Sequence, residues 1–71
     1  MADSYLTERE QDVLYYLSQG LTNKQIGEIL NISYHTVKAH ISVILEKLNC
    51  KNRTDAALTA QKNNLINHPQ G

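Results

Sequence analysis

A chain of 71 residues, 41% of them hydrophobic and one of them cysteine, suits one compact domain and excludes a disulfide framework. No apolar run approaches the roughly 18 residues of a membrane span, and the start MADSYLTE has neither the basic nor the apolar region of a signal peptide, so a cytoplasmic setting is expected. The formal net charge is zero but unevenly spread: residues 1–20 set Asp3, Glu8, Glu10 and Asp12 against Arg9, whereas residues 33–71 set Lys38, Lys47, Lys51, Arg53 and Lys62 against Glu46 and Asp55.

In chain order, residues 1–4 read as a short tail. Thr7-Glu8-Arg9-Glu10 is a capping box, in which the Thr7 hydroxyl takes the Glu10 amide and the Glu10 carboxylate takes the Thr7 amide. The first helix is predicted from there to about Gln19, with Val13, Leu14 and Leu17 as its apolar stripe and Tyr16 beside them. Gly20 stands where a left-handed stop belongs.

Thr22-Asn23-Lys24-Gln25 is a second capping box. A short helix is predicted to about Leu30, with Ile26, Ile29 and Leu30 turned inward. Asn31 can stop it, because asparagine tolerates positive φ better than other non-glycine residues. About three residues later Ser33 can cap a third helix over about 34–48. Val37, Ile41, Ile44, Leu45 and Leu48 follow one another at spacings of 4, 3, 1 and 3, the helical period. His35, Lys38, Ala39 and Ser42 form a second stripe at spacings of 3, 1 and 3, short or basic and free of acids.

Asn52 can cap a fourth helix, with Asp55 favoured near its start by the helix dipole. Ala56, Ala57 and Ala60 offer it a small-residue face, and Leu58 is also apolar. Asn64 is the expected stop, with Leu65 and Ile66 packing back, and residues 67–71 read as a disordered tail. No strand, internal repeat or low-complexity segment is predicted. The fold class is therefore all-α: four helices, of which the second and third, joined by Asn31-Ile32-Ser33, form a helix-turn-helix. A tight crossing of two helices needs a small residue, and Gly27 stands at that place.

The chain resembles the LuxR/GerE-type helix-turn-helix domain found at the C-terminus of NarL/FixJ-type response regulators. The residues that carry the resemblance are Leu6, Thr7, Arg9, Glu10, Val13, Leu14, Leu17, Gly20, Asn23, Lys24, Ile26, Leu30, Ile32, Ser33, Thr36, Val37, Lys38, His40, Ile44, Lys47, Leu48, Arg53, Thr54, Ala56 and Ala60, within residues 5–66. Gly27 replaces the family's usual alanine, a small-for-small change. Asn64 replaces a glycine, and Cys50 stands where an aliphatic residue is usual.

The resemblance implies that the third helix enters the major groove of double-stranded DNA by its N-terminal half. Lys38, Ala39 and Ser42 would then face base edges: Lys38 donating to guanine, Ala39 packing on a thymine methyl, Ser42 bonding either way. Ser33, Tyr34, His35 and Thr36 start that helix, where free amides and the dipole attract phosphate. Ser33 is read equally as a plain cap. Asn23 and Lys24 could hold the opposite strand's backbone, and Lys47, Lys51 and Arg53 could add phosphate contacts. Ordinary solvation or ion pairing competes for these last three, and Arg53 could equally pair with Glu10 or another acid of the first helix.

His40 lies between the two stripes and reads first as a partly buried, structural, hydrogen-bonded histidine, with phosphate contact as the second reading. His35 and His40 stand about 140° apart around the helix, with no cysteine or carboxylate at ligand spacing, so no metal is expected. Cys50 reads as a small apolar filler. A redox role, with a thiol activated beside Lys51 and bridging two protomers, is the sharper alternative. Dimerisation is expected on DNA or through the outer face of the fourth helix around Asp55, Thr59 and Lys62, and RNA polymerase is a further implied partner. No cofactor is implied. Neither a nucleophile motif nor a glycine-rich phosphate loop is present, so an enzyme is not expected. The competing reading is a helix-turn-helix module that binds protein rather than DNA, kept in view by the zero net charge.

Overall fold

The computed structural model describes residues 5–62. Four helices follow in order: α1 (Glu8–Ser18), α2 (Asn23–Leu30), α3 (Tyr34–Leu48) and α4 (Arg53–Lys62). The expected stop at Asn64, the packing of Leu65 and Ile66, and both tails lie outside the described residues.

Each helix start is built as the sequence specifies. Thr7 and Glu10 close a reciprocal capping box at 3.1 and 3.0 Å, and Thr22 and Gln25 close another at 3.1 and 2.9 Å. The Thr36 amide donates to Ser33 Oγ at 3.0 Å, and the Asp55 amide donates to Asn52 Oδ1 at 2.9 Å.

The stops share one device. Gly20, Asn31 and Asn49 all have positive φ. After each, the next amide reaches five residues back: Leu21 to the Tyr16 carbonyl, Ile32 to Gly27, Cys50 to Leu45. That bond satisfies a carbonyl the helix end would otherwise leave open. Asn49 was not foreseen as a stop, although it repeats the chemistry of Asn31.

The core is Leu6, Val13, Leu14, Leu17, Ile26, Val37, Ile41, Ile44, Ala56 and Ala60, with Leu30, Leu45 and Leu48 half-buried at its edge. α1 packs on α4 and α3, and α2 packs on α3. The fully buried Ala56 and Ala60 are small enough to bring α4 close to its neighbours. One expectation needs correction. Ile29 is 51% exposed rather than inward, because Ile26 and Leu30 already fill the buried side of so short a helix. Leu58 is 60% exposed on the outer side of α4.

Gly27 sets the spacing of the helix-turn-helix. A Cβ built there would lie 2.7 Å from the Ile32 carbonyl oxygen and 3.5 Å from the Tyr34 nitrogen. The turn therefore sits in the space a side chain would need, and the exchange of alanine for glycine is not neutral for this geometry.

Candidate nucleic-acid interface

The α3 face opposite Val37, Ile41 and Ile44 carries His35, Lys38, Ala39 and Ser42, all exposed. One helix therefore separates a buried rail from an open, acid-free stripe. The buried rail fixes the rotation of α3, so the open stripe has a defined direction.

At the start of α3, the Ser33 and Thr36 hydroxyls lie 2.9 Å apart while Ser33 also takes the Thr36 amide. Both residues are exposed, and Thr36 is tied back to its cap by this pair. The Tyr34 ring leans on the His35 ring, with centroids 4.7 Å apart and planes at 51°. Neither α2 nor α3 has an acidic residue in its first turn. The positive ends of both helix dipoles are therefore uncompensated by any acidic side chain in those turns, which suits an anion.

The start of α2 presents Lys24, exposed, and Asn23, half-buried. Asn23 is held from α4: Arg53 Nη1 donates to its Oδ1 at 2.6 Å, and Arg53 Nη2 donates to the Leu21 carbonyl at 2.9 Å. The pairing of Arg53 with Glu10 is thereby overturned. Glu10 is taken by Lys47, whose Nζ lies 2.8 Å from Oε1 and 3.4 Å from the Tyr5 carbonyl, with the Tyr5 ring centroid at 5.8 Å. Only 6% of Glu10 is exposed. Burial pushes its carboxyl up, but the Lys47 and Thr7 hydrogen bonds and the charges of Lys47 and His40 outweigh that and hold it below its ordinary value of 4.5.

The remaining residues divide by position. Lys47 lies about 14 Å along the helix axis from Lys38, away from the open stripe. Lys51 is exposed, with its amide donating to Asp55 Oδ2 at 3.0 Å. His40 is half-buried, as its border position suggests, but among the described residues it makes none of the hydrogen bonds expected of it. Cys50 is half-buried, its Sγ 3.6 Å from the Leu48 carbonyl and 3.5 Å from Thr59 Oγ1. Of the α4 residues expected at a dimer face, Asp55 and Thr59 are half-buried with these local partners and Lys62 is exposed, as are Thr54, Leu58 and Gln61. A shallow pocket of about 260 Å³ lies between the end of α1 and the start of α4, lined by Leu17, Leu21, Arg53 and Ala57 among others. It falls below the roughly 300–1,000 Å³ usual for small-molecule sites. Among the described residues no helix is long and apolar enough to cross a membrane.

Sequence reasoning missed the Arg53–Asn23 link and the exposed apolar residues Ile29 and Leu58. The signal for the link was present, since Arg53 opens α4 and a cation at a helix start opposes the dipole unless it has another task.

The family described as "Bacterial regulatory proteins, luxR family" matches residues 4–60. The chain is 58% identical over 55 residues to the nitrate/nitrite response regulator protein NarP of Escherichia coli, covering 78% of this chain and 26% of NarP. It is 50% identical over 62 residues to the transcriptional regulatory protein LiaR of Bacillus subtilis, covering 87% and 29%. With the transcriptional regulatory protein DegU of Brevibacillus brevis the identity is 46% over 61 residues, covering 86% and 26%. The chain thus spans between a quarter and a third of the length of these relatives. The chain belongs to the luxR family of bacterial regulatory proteins.

Proposed function

We propose that residues 5–66 form a sequence-specific double-stranded DNA-binding unit of a bacterial transcription regulator, with α3 as the helix that enters the major groove. The observation that carries this reading is the exposed stripe of His35, Lys38, Ala39 and Ser42 on a helix whose opposite side is locked into the core. Lys38, Ala39 and Ser42 contact base edges. Ser33, Tyr34, His35 and Thr36 hold one strand's phosphates, Asn23 and Lys24 the other's, and Lys51 adds a peripheral contact. Lys47 and Arg53 hold the elements that carry these residues.

Membership of a family of regulatory proteins supports the reading, as do relatives named as transcriptional regulators. Pairing of two copies on adjacent half-sites would supply affinity that one small unit lacks. A cytoplasmic setting, contact with RNA polymerase and the absence of catalysis belong to the same proposal. Selection from a random duplex pool, followed by gel retardation of the enriched site, tests it. Enrichment of one motif whose binding weakens steeply with salt is expected.

The second reading, a module that binds protein instead, is favoured by the zero net charge. Failure to retard any duplex at low salt would select it.

A further inference from the structure

The Arg53–Asn23 link has a chemical direction. A guanidinium only donates, so it takes the oxygen of the asparagine amide and leaves the NH₂ end unused. Arg53 Nη1 reaches Asn23 Oδ1 at 2.6 Å while Nη2 is anchored on the Leu21 carbonyl at 2.9 Å, across 30 and 32 residues of sequence. With both ends of the fork held, the guanidinium plane is set and with it the sense of the Asn23 amide. Among the described residues the Asn23 Nδ2 group makes no hydrogen bond.

Anchoring the start of α2 does not require this. The capping box of Thr22 and Gln25 already closes that end, and it uses their amides rather than those of Asn23 and Lys24. What Arg53 adds is a fixed orientation for one donor, at a helix start with no acid in its first turn and beside the exposed Lys24.

We infer that Arg53 is a positioning residue for DNA binding: it holds Asn23 with its NH₂ group committed to a backbone phosphate and does not touch the DNA itself. This rests on the DNA-binding reading above. It makes α4 a support for the phosphate contact of α2, through a link that spans 30 residues of sequence.

The test uses the 71-residue chain and a random-sequence duplex of about 30 base pairs, since phosphate contacts do not depend on sequence. Affinity is followed from about 50 to about 200 mM salt, and the melting temperature is measured for each variant. Asn23→Asp keeps an acceptor for Arg53 and places an acid at the first position of α2, where the dipole favours it. It should melt no lower than the parent yet bind about tenfold or more weakly. Arg53→Lys gives up the two-pronged hold and should bind about threefold to tenfold more weakly, with the slope of log affinity against log salt unchanged. In an Asn23→Ala background, Arg53→Lys should add no further loss.

A slope shallower by about one in Arg53→Lys would make Arg53 a direct phosphate contact and overturn the inference. Multiplying losses for Arg53→Lys and Asn23→Ala, or parental binding by Asn23→Asp, would overturn it as well. A parent chain that retards no duplex at low salt would overturn the DNA-binding reading, and this inference with it.

Discussion

Lys47 Nζ donates to Glu10 Oε1 at 2.8 Å, and the same oxygen accepts the Thr7 amide at 3.0 Å. One carboxylate oxygen therefore both closes the capping box of α1 and ties α1 to the last turns of α3, 37 residues on. Because the carboxylate is buried, its partners matter more than those of a surface ion pair. Glu10→Gln keeps the shape but leaves the half-buried Lys47 ammonium against a neutral oxygen. The expected loss is about 1–3 kcal/mol of stability, read by urea denaturation at pH 7.

The same group sets a pH dependence. The Glu10 carboxyl lies below its ordinary 4.5 in the folded chain, so the folded state binds this proton less readily than the unfolded one. Its contribution is complete above about 4.5 and is lost as pH falls through the lower, folded value. Thermal melts of the parent and Glu10→Gln taken from pH 7 downward should converge in the acid range. A gap that stays constant down to pH 3 would remove Glu10 from the acid response.

Gly27→Ala brings two effects into opposition. Alanine gains about 1 kcal/mol in helix propensity, while its methyl carbon must displace the Ile32 carbonyl, 2.7 Å away and part of the turn backbone. Overpacking against backbone typically costs about 1–3 kcal/mol, so a net loss of about 1 kcal/mol is expected. The displacement moves the start of α3 as well, so DNA affinity should fall further than a small stability change explains. A variant that melts higher than its parent would show that the turn gives way freely.

Much of this geometry could be read from the sequence, and the parts that could not share a reason. Capping boxes at Thr7 and Thr22 were legible because cap and partner lie three residues apart, and the α3 core residues because their spacing repeats. Ile29 was misjudged since α2 is too short for periodicity to say how much of its stripe the rest of the fold covers. Beyond the capping box, which residues Glu10 and Arg53 pair with across the fold was not legible; the place of Arg53 at the start of α4 signals a task but not its partner. Both are cross-chain choices, and Lys47 and Arg53 were equally suitable by charge. Only the packed arrangement of α1, α3 and α4 separates them.

Asn49 shows how a local signal can be overlooked when a longer pattern dominates. It closes α3 at φ 56°, in the left-handed region, with Cys50 donating back to the Leu45 carbonyl at 2.9 Å. Asn49→Ala puts a side chain with no local hydrogen bonding into that conformation and should cost about 1 kcal/mol, whereas Asn49→Gly should be neutral or stabilising. Paired melting curves of the two variants decide. Equal destabilisation would mean that the asparagine side chain, rather than its backbone conformation, matters.

Lys38 and Lys47 lie on one helix and carry the same charge, yet they should fail in different ways. Lys38 is exposed on the open stripe, and Lys47 is three-quarters covered and bonded to Glu10. Lys38→Ala should leave stability within about 0.5 kcal/mol and cost about 1–3 kcal/mol of binding to the selected site, with discrimination lost at one base position. Lys47→Ala should cost about 1–3 kcal/mol of stability by stranding the buried Glu10, while the folded fraction keeps its salt slope. Denaturation and salt-dependent binding of both variants separate the two roles. If Lys47→Ala lowered the salt slope by about one with stability unchanged, the Glu10 pair would be dispensable and Lys47 would lie against phosphate.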